Sequence, residues 1–273
     1  QIALGCMGLG GEWDAKIPLT KSDEVAAIKA VEAALEQGIN FFDHADIYGG
    51  GKSEELFGQV LEKHPEYREK MIIQTKCAIV PGKRYDFSKE YIMNAVNGSL
   101  ERLHTDHVEI LLLHRPDALC DPQEVAEAFD ELYESGKVKY FGVSNHTPGQ
   151  IALLQKYIKH PIIINQLQLS IVHSVMIDSG MNMNMKEDFA IDKDGGVLDY
   201  CRLNDITIQA WSIVQASWAE GTFLNHPDYK KLNNVLDDLA KKYNVSPATI
   251  ATAWILRHPA HIQAITGTTS PKH

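Results

Sequence analysis

Val108-Glu109-Ile110-Leu111-Leu112-Leu113-His114, an amphipathic stretch over 121–135, and Val138-Lys139-Tyr140-Phe141-Gly142-Val143-Ser144 follow one another with short connections between them. The outer segments are short apolar runs of strand length, and the middle one has helical periodicity. A strand, a crossover of a dozen or more residues and another strand is how a parallel pair is connected. The same alternation extends in both directions. Strands are predicted over 2–6, 39–43, 71–76, 108–114, 138–144, 162–166, 206–211 and 262–266. Helices are predicted between them over 53–63, 88–103, 121–135, 147–157, 196–203, 229–243 and 246–257. A first helix begins at Ser22 as N-cap candidate, repeats Val25, Ile28, Val31 and Leu35 on one face, and stops at Gly38.

Eight such units in 273 residues fit an α/β fold of the closed kind, a parallel eight-stranded (β/α)8 TIM barrel. A doubly wound sheet is the rival, but Gly5-Cys6-Met7-Gly8-Leu9-Gly10 lacks the G-x-G-x-x-G spacing that the rival needs after its first strand. The expectation is therefore one barrel domain over 1–273, cut at both termini, with an irregular insertion over 170–194 that holds Met176, Met181, Met183 and Met185.

Lys plus Arg total 26 against 36 Asp plus Glu, a net charge of −10. Phosphate contacts need clustered cations, so a nucleic-acid partner is not expected. No apolar run reaches the length of a membrane span. Cys6, Cys77, Cys120 and Cys201 are scattered without a CxxC pair, which points to a reduced cytoplasmic protein.

In a (β/α)8 barrel the chemistry sits at the carboxyl ends of the strands. Applied here, the rule brings Asp43 (with Tyr48 just beyond), Lys76 and His114 to one mouth. Ser144-Asn145, Asn165-Gln166 and Trp211-Ser212 end later strands there. A free phenol is a weak acid near neutral pH, and an ammonium within reach is expected to lower its pKa. Asp43 supplies the counter-ion of Lys76, and His114 orients a carbonyl oxygen beside the phenol. Such a unit protonates an oxygen on which negative charge develops, as carbonyl reduction requires.

Two decoys are set aside. Gly49-Gly50-Gly51-Lys52-Ser53 ends like a phosphate loop, but the glycine required earlier is Asp46, so it reads as a turn into a helix with Ser53 as N-cap. His104 and His107 lack a carboxylate partner at a recognisable spacing, and no HExxH occurs, so no metal is expected.

Phe42-Asp43-His44-Ala45-Asp46-Ile47-Tyr48-Gly49, Gln74-Thr75-Lys76, Leu113-His114-Arg115-Pro116-Asp117 and Gly142-Val143-Ser144-Asn145 resemble the motifs of the aldo-keto reductases, bacterial members in particular. The resemblance runs nearly end to end. It implies an NAD(P)H-dependent oxidoreductase that reduces small aldehydes or ketones, or runs the reverse. Its tetrad would be Asp43, Tyr48, Lys76 and His114, with Tyr48 as proton donor. It implies further that Ser144, Asn145 and Gln166 hold the nicotinamide carboxamide and Trp211 stacks on the ring. Ser212 would take the pyrophosphate, and Cys6 and Met7 would line the mouth. Gly267, Thr268 and Thr269, with His273, would meet the adenosine 2′-phosphate, so NADP(H) is expected over NAD(H). A monomer or small homo-oligomer is expected. The alternatives are a non-catalytic cofactor-binding sensor on the same fold and a metal-dependent barrel hydrolase.

Overall fold

Capping residues explain where most helices begin. Asp121-Pro122, Thr147-Pro148 and Ser246-Pro247 each place a side-chain acceptor at the N-cap and a proline in the first turn, where its missing N–H costs nothing. In the computed structural model, which describes residues 1–187 and 190–273, the helices are α1 (Lys21–Glu36), α2 (Lys52–Lys63), α3 (Lys89–Arg102), α4 (Pro122–Glu134), α5 (Pro148–Tyr157), α6 (Val175–Met181), α7 (Val197–Leu203), α8 (Lys230–Tyr243) and α9 (Pro247–Leu256). Two starts differ from expectation. Thr20, not Ser22, caps α1, because its hydroxyl and the Asp23 carboxylate close a reciprocal capping box. Gly51, in the left-handed region at φ 98°, precedes α2. The Ser53 hydroxyl instead donates 2.6 Å to the Cys6 carbonyl.

The barrel strands are β1 (Ile2–Gly5), β2 (Phe41–Asp43), β3 (Ile72–Cys77), β4 (Val108–Leu113), β5 (Val138–Ser144), β6 (Ile162–Gln168), β7 (Thr207–Trp211) and β8 (Gln263–Thr266). They form a closed barrel in sequence order, with paired neighbours running parallel. Leu111, Leu112 and Leu113 are fully buried although successive side chains face opposite sides of the sheet, as expected for a parallel strand covered on both faces.

The chain divides into two compact units. The larger, Ile2–Ile164 with Gly267–His273, carries β1 to β5. Its core includes Phe42 against Phe57 and a stacked Phe129–Phe141 pair with centroids 4.0 Å apart. The smaller, Asn165–Thr266 with Gln1, carries β7, β8 and a cluster of Ala216, Phe223, Leu236 and Ala251. The segment expected to be irregular, 170–194, contains α6. Its residues 188 and 189 lie outside the described residues. Met181, Met183 and Met185 in it are exposed. No helix among the described residues is long and apolar enough to cross a membrane.

Candidate active site

Register places the first site residues. Asp43 at the end of β2 lies opposite Gln74, and Lys76 lies two residues further along β3, on the same face as Gln74. Beyond β2 the chain stays tied to β3. The His44 N–H donates to the Gln74 carbonyl and the Asp46 N–H to that of Lys76. That path carries Tyr48 back over the strand end.

The Lys76 side chain is fully buried. Its Nζ donates to Asp43 at 2.9 Å, to the His44 carbonyl at 2.7 Å and to the Tyr48 hydroxyl oxygen at 3.0 Å. An ammonium has three protons and no acceptor capacity, so this set satisfies it. Tyr48 accepts from Lys76, which leaves its own hydroxyl proton to donate elsewhere. Gln74 donates to the other Asp43 oxygen at 2.5 Å and fixes the carboxylate plane. Burial lowers the Lys76 pKa, but the Asp43 and Tyr48 interactions outweigh it and hold the lysine above its ordinary value.

Lys76 was expected to bring the Tyr48 pKa down. Burial instead pushes it up, the Lys76 ammonium offsetting only part and Asp43 adding to the rise. The counter-ion that keeps Lys76 charged also repels a phenolate. The resting phenol is therefore firmly protonated.

The His114 ring stands edge-on to Tyr48, centroids 6.0 Å apart at 84°. Burial, with Lys76 and Arg115 nearby, drives its pKa well down, so the ring is neutral near pH 7. Its Nδ1 is buried without a partner. Asp46 behaves oppositely. Burial and the neighbouring Glu54 raise it to about 7, against the pull of Arg102.

The remaining expected residues occupy these places. Ser144 is buried at the end of β5, and Asn145 follows in the left-handed region at φ 60°, its amide donating to Ser144 Oγ at 2.8 Å. Gln166 is buried and donates to Gln209, which donates to Gln263, a chain of amides across β6, β7 and β8. Trp211 is half-buried at the end of β7. Ser212, at φ 54°, opens a turn closed by the Gln215 N–H. Cys6 is fully buried while Met7 is 38% exposed, so Met7 alone presents its side chain outward. Thr269 packs against Gly8, where a methyl would lie 3.3 Å from Thr269 Cγ2, so Met7-Gly8 and the 267–269 segment are brought together. The Thr268 hydroxyl lies 3.3 Å from the His273 ring.

Three participants escaped the sequence reading. Gln74 had a signal, two residues before Lys76 and so on its face. The His44 carbonyl and Trp13, whose ring lies 6.4 Å from that of Tyr48, had none. Among the described residues no group of three or more His, Cys, Asp or Glu could hold a metal ion.

A closed parallel barrel with a buried Lys–Asp–Tyr cluster and an adjoining His at its strand ends defines a class of barrel oxidoreductases. The aldo/keto reductase family profile matches residues 1–273, and the chain belongs to that family. It is 36% identical over 248 residues to oxidoreductase YdhF of Escherichia coli, spanning 88% of this chain and 76% of that protein. It is 37% identical over 250 residues to a 6-dehydroglucose reductase of Novosphingobium aromaticivorans, spanning 88% and 75%. An aldo-keto reductase of Klebsiella pneumoniae, solved with NADPH, superposes with a TM-score of 0.74 at 21% identity, covering 100% of this chain and 82% of that one. At that identity the superposition speaks for the fold.

Proposed function

We propose that the protein, as one (β/α)8 domain, reduces the carbonyl of a small aldehyde or ketone with NADPH, and runs the reverse with the alcohol. One observation carries the reading. The Tyr48 oxygen accepts from the buried Lys76 ammonium at 3.0 Å, which leaves a phenol proton free to be given to a substrate oxygen. The residues present suit a nicotinamide dinucleotide. Amide and hydroxyl groups of Ser144, Asn145 and Gln166 match a carboxamide, which both donates and accepts. Trp211 offers a half-buried aromatic face for the ring, and Met7, Ser212, Gly267, Thr268, Thr269 and His273 lie beyond strand ends and are the candidates for the rest. When bound, the cofactor supplies a hydride to the carbonyl carbon.

The chain's own part is protonic and electrostatic. His114, neutral, orients the carbonyl oxygen. Tyr48, a phenol already protonated near neutral pH, is held further from ionisation at rest because burial raises its pKa. Charge developing on the substrate oxygen draws the proton across, and the fixed Lys76 ammonium stabilises the phenolate left behind. Asp43, oriented by Gln74, keeps Lys76 charged. The four unpaired thiols support a reducing, cytoplasmic setting.

Tyr48→Phe tests the assignment. NADPH binding, followed by quenching of tryptophan fluorescence, should be retained, while reduction of a carbonyl panel that includes 6-dehydroglucose falls by about a hundredfold or more. Wild-type turnover in that variant would remove Tyr48 as donor. NADPH binding by the wild type without turnover of any carbonyl would favour a cofactor sensor.

A further inference from the structure

The segment Gly49-Gly50-Gly51-Lys52-Ser53 contributes nothing to the tetrad, yet it wires down the loop between β1 and α1. Lys52 is 7% exposed, and its Nζ donates to three main-chain carbonyls, those of Glu12 at 2.5 Å, Asp14 at 2.8 Å and Ile17 at 2.9 Å. That is the full donor set of an ammonium. The two segments also touch. A methyl on Gly10 would lie 2.8 Å from the Ser53 nitrogen, and one on Gly50, at φ 69°, would lie 2.6 Å from Ala15 Cβ. Ser53 ties the same segment to the end of β1 through the Cys6 carbonyl.

The loop so held carries Trp13. Its ring is 56% exposed and lies 6.4 Å from the Tyr48 ring, tilted by 50°. A large aromatic surface left half in water beside a buried proton donor is suited to covering something bound there. Local contacts hold only its far side, where the Lys16 and Ile17 N–H groups donate to Asp14, while Gly10-Gly11 before it have the freest backbone.

We propose that Lys52 is a positioning residue for the substrate. By binding the carbonyls of Glu12, Asp14 and Ile17 it fixes the 12–17 loop so that Trp13 forms an apolar wall beside the Tyr48 hydroxyl, which favours carbonyl compounds bearing an aromatic or bulky apolar group. The proposal rests on the reductase reading above, and its test has an arm that does not.

Lys52→Met keeps the stem and removes the donors, and Lys52→Gln replaces it if the Met variant does not fold. Both are compared with Trp13→Ala and the double variant in the reduction of benzaldehyde and of acetaldehyde with NADPH. Loss of an aromatic contact predicts a KM for benzaldehyde raised about five- to twentyfold, with kcat within about twofold. The KM for acetaldehyde and the Kd for NADPH should move less than about twofold. Trp13→Ala should reproduce the benzaldehyde loss and the double variant should not exceed it, because both changes act through one contact. An unchanged benzaldehyde KM in a folded Lys52 variant, or losses that multiply in the double variant, overturns the proposal. Amide hydrogen exchange needs no turnover. Protection over 12–17 should fall about tenfold or more in the Lys52 variant, and unchanged protection overturns the latch. If the wild type reduces no carbonyl, the reductase reading fails and the exchange arm alone decides on the loop.

Discussion

Replacing Lys76 by methionine removes the centre of the site while nearly keeping its volume. The side chains of Lys76 and Asp43 are 0% and 3% exposed, so the substitution leaves the buried Asp43 carboxylate without the ammonium that balances its charge. Breaking a buried ion pair in this way costs about 3–5 kcal/mol. In a domain of this size that is a fall in Tm of about 6–20 °C. Tyr48 loses the cation that would stabilise its phenolate, and kcat should drop by about a hundredfold or more. The measurement is thermal and urea unfolding of Lys76→Met, Asp43→Asn and the double variant, with turnover alongside. Once the orphaned charge is gone the double variant should recover part of the loss, with a coupling of about 1–3 kcal/mol. A Lys76→Met protein melting within about 2 °C of the wild type, or a double variant whose loss is the sum of the single losses, would refute the buried-pair argument.

Acid should weaken the fold. Burial lowers His44 to about 3 and His146 to about 4, and His114 well below its ordinary value. Below about pH 6.5 the unfolded chain therefore takes up protons that the native chain refuses, and stability is lost as pH falls. Asp46, raised to about 7, has the opposite sign between about pH 4 and 7 and cancels one of the three. The net is about two protons, so urea midpoints at pH 6.5, 5.5 and 4.5 should report a loss of about 3 kcal/mol per unit. His44→Leu should reduce that slope by about one proton, and stability independent of pH would sink the account. Gly58 in α2 is a steric prediction. A methyl there would overlap the Arg102 carbonyl and lie 3.0 Å from the Leu103 carbonyl carbon. Gly58→Ala should cost about 1–3 kcal/mol despite alanine's better helix propensity. A gain in the urea midpoint would show that α2 and the end of α3 are not so close.

The barrel was legible because its signals are local. A period near 3.6 or a short apolar run marks an element within a dozen residues, and strand ends then name candidate residues. Asp43, Tyr48, Lys76 and His114 were all named as candidates by that route. The misreadings have the same origin in reverse. Ser22 and Ser53 both looked like N-caps, but Thr20 has Asp23 as reciprocal partner, and Ser53 is drawn to the Cys6 carbonyl, 47 positions earlier in sequence.

The linear chain thus determined the alternation of strand and helix, its closure into a barrel and the identity of the groups at the strand ends, since each follows from side-chain chemistry and short-range periodicity. Folding decided what those groups do to one another. The acceptors of Lys52 lie 35 to 40 positions away, and those of Lys76 lie 28 to 33 away. No local pattern encodes them. The Tyr48 pKa moves up although the sequence pairs it with a lysine, because its value depends on burial and on the nearby Asp43, and these exist only once the strands are in register.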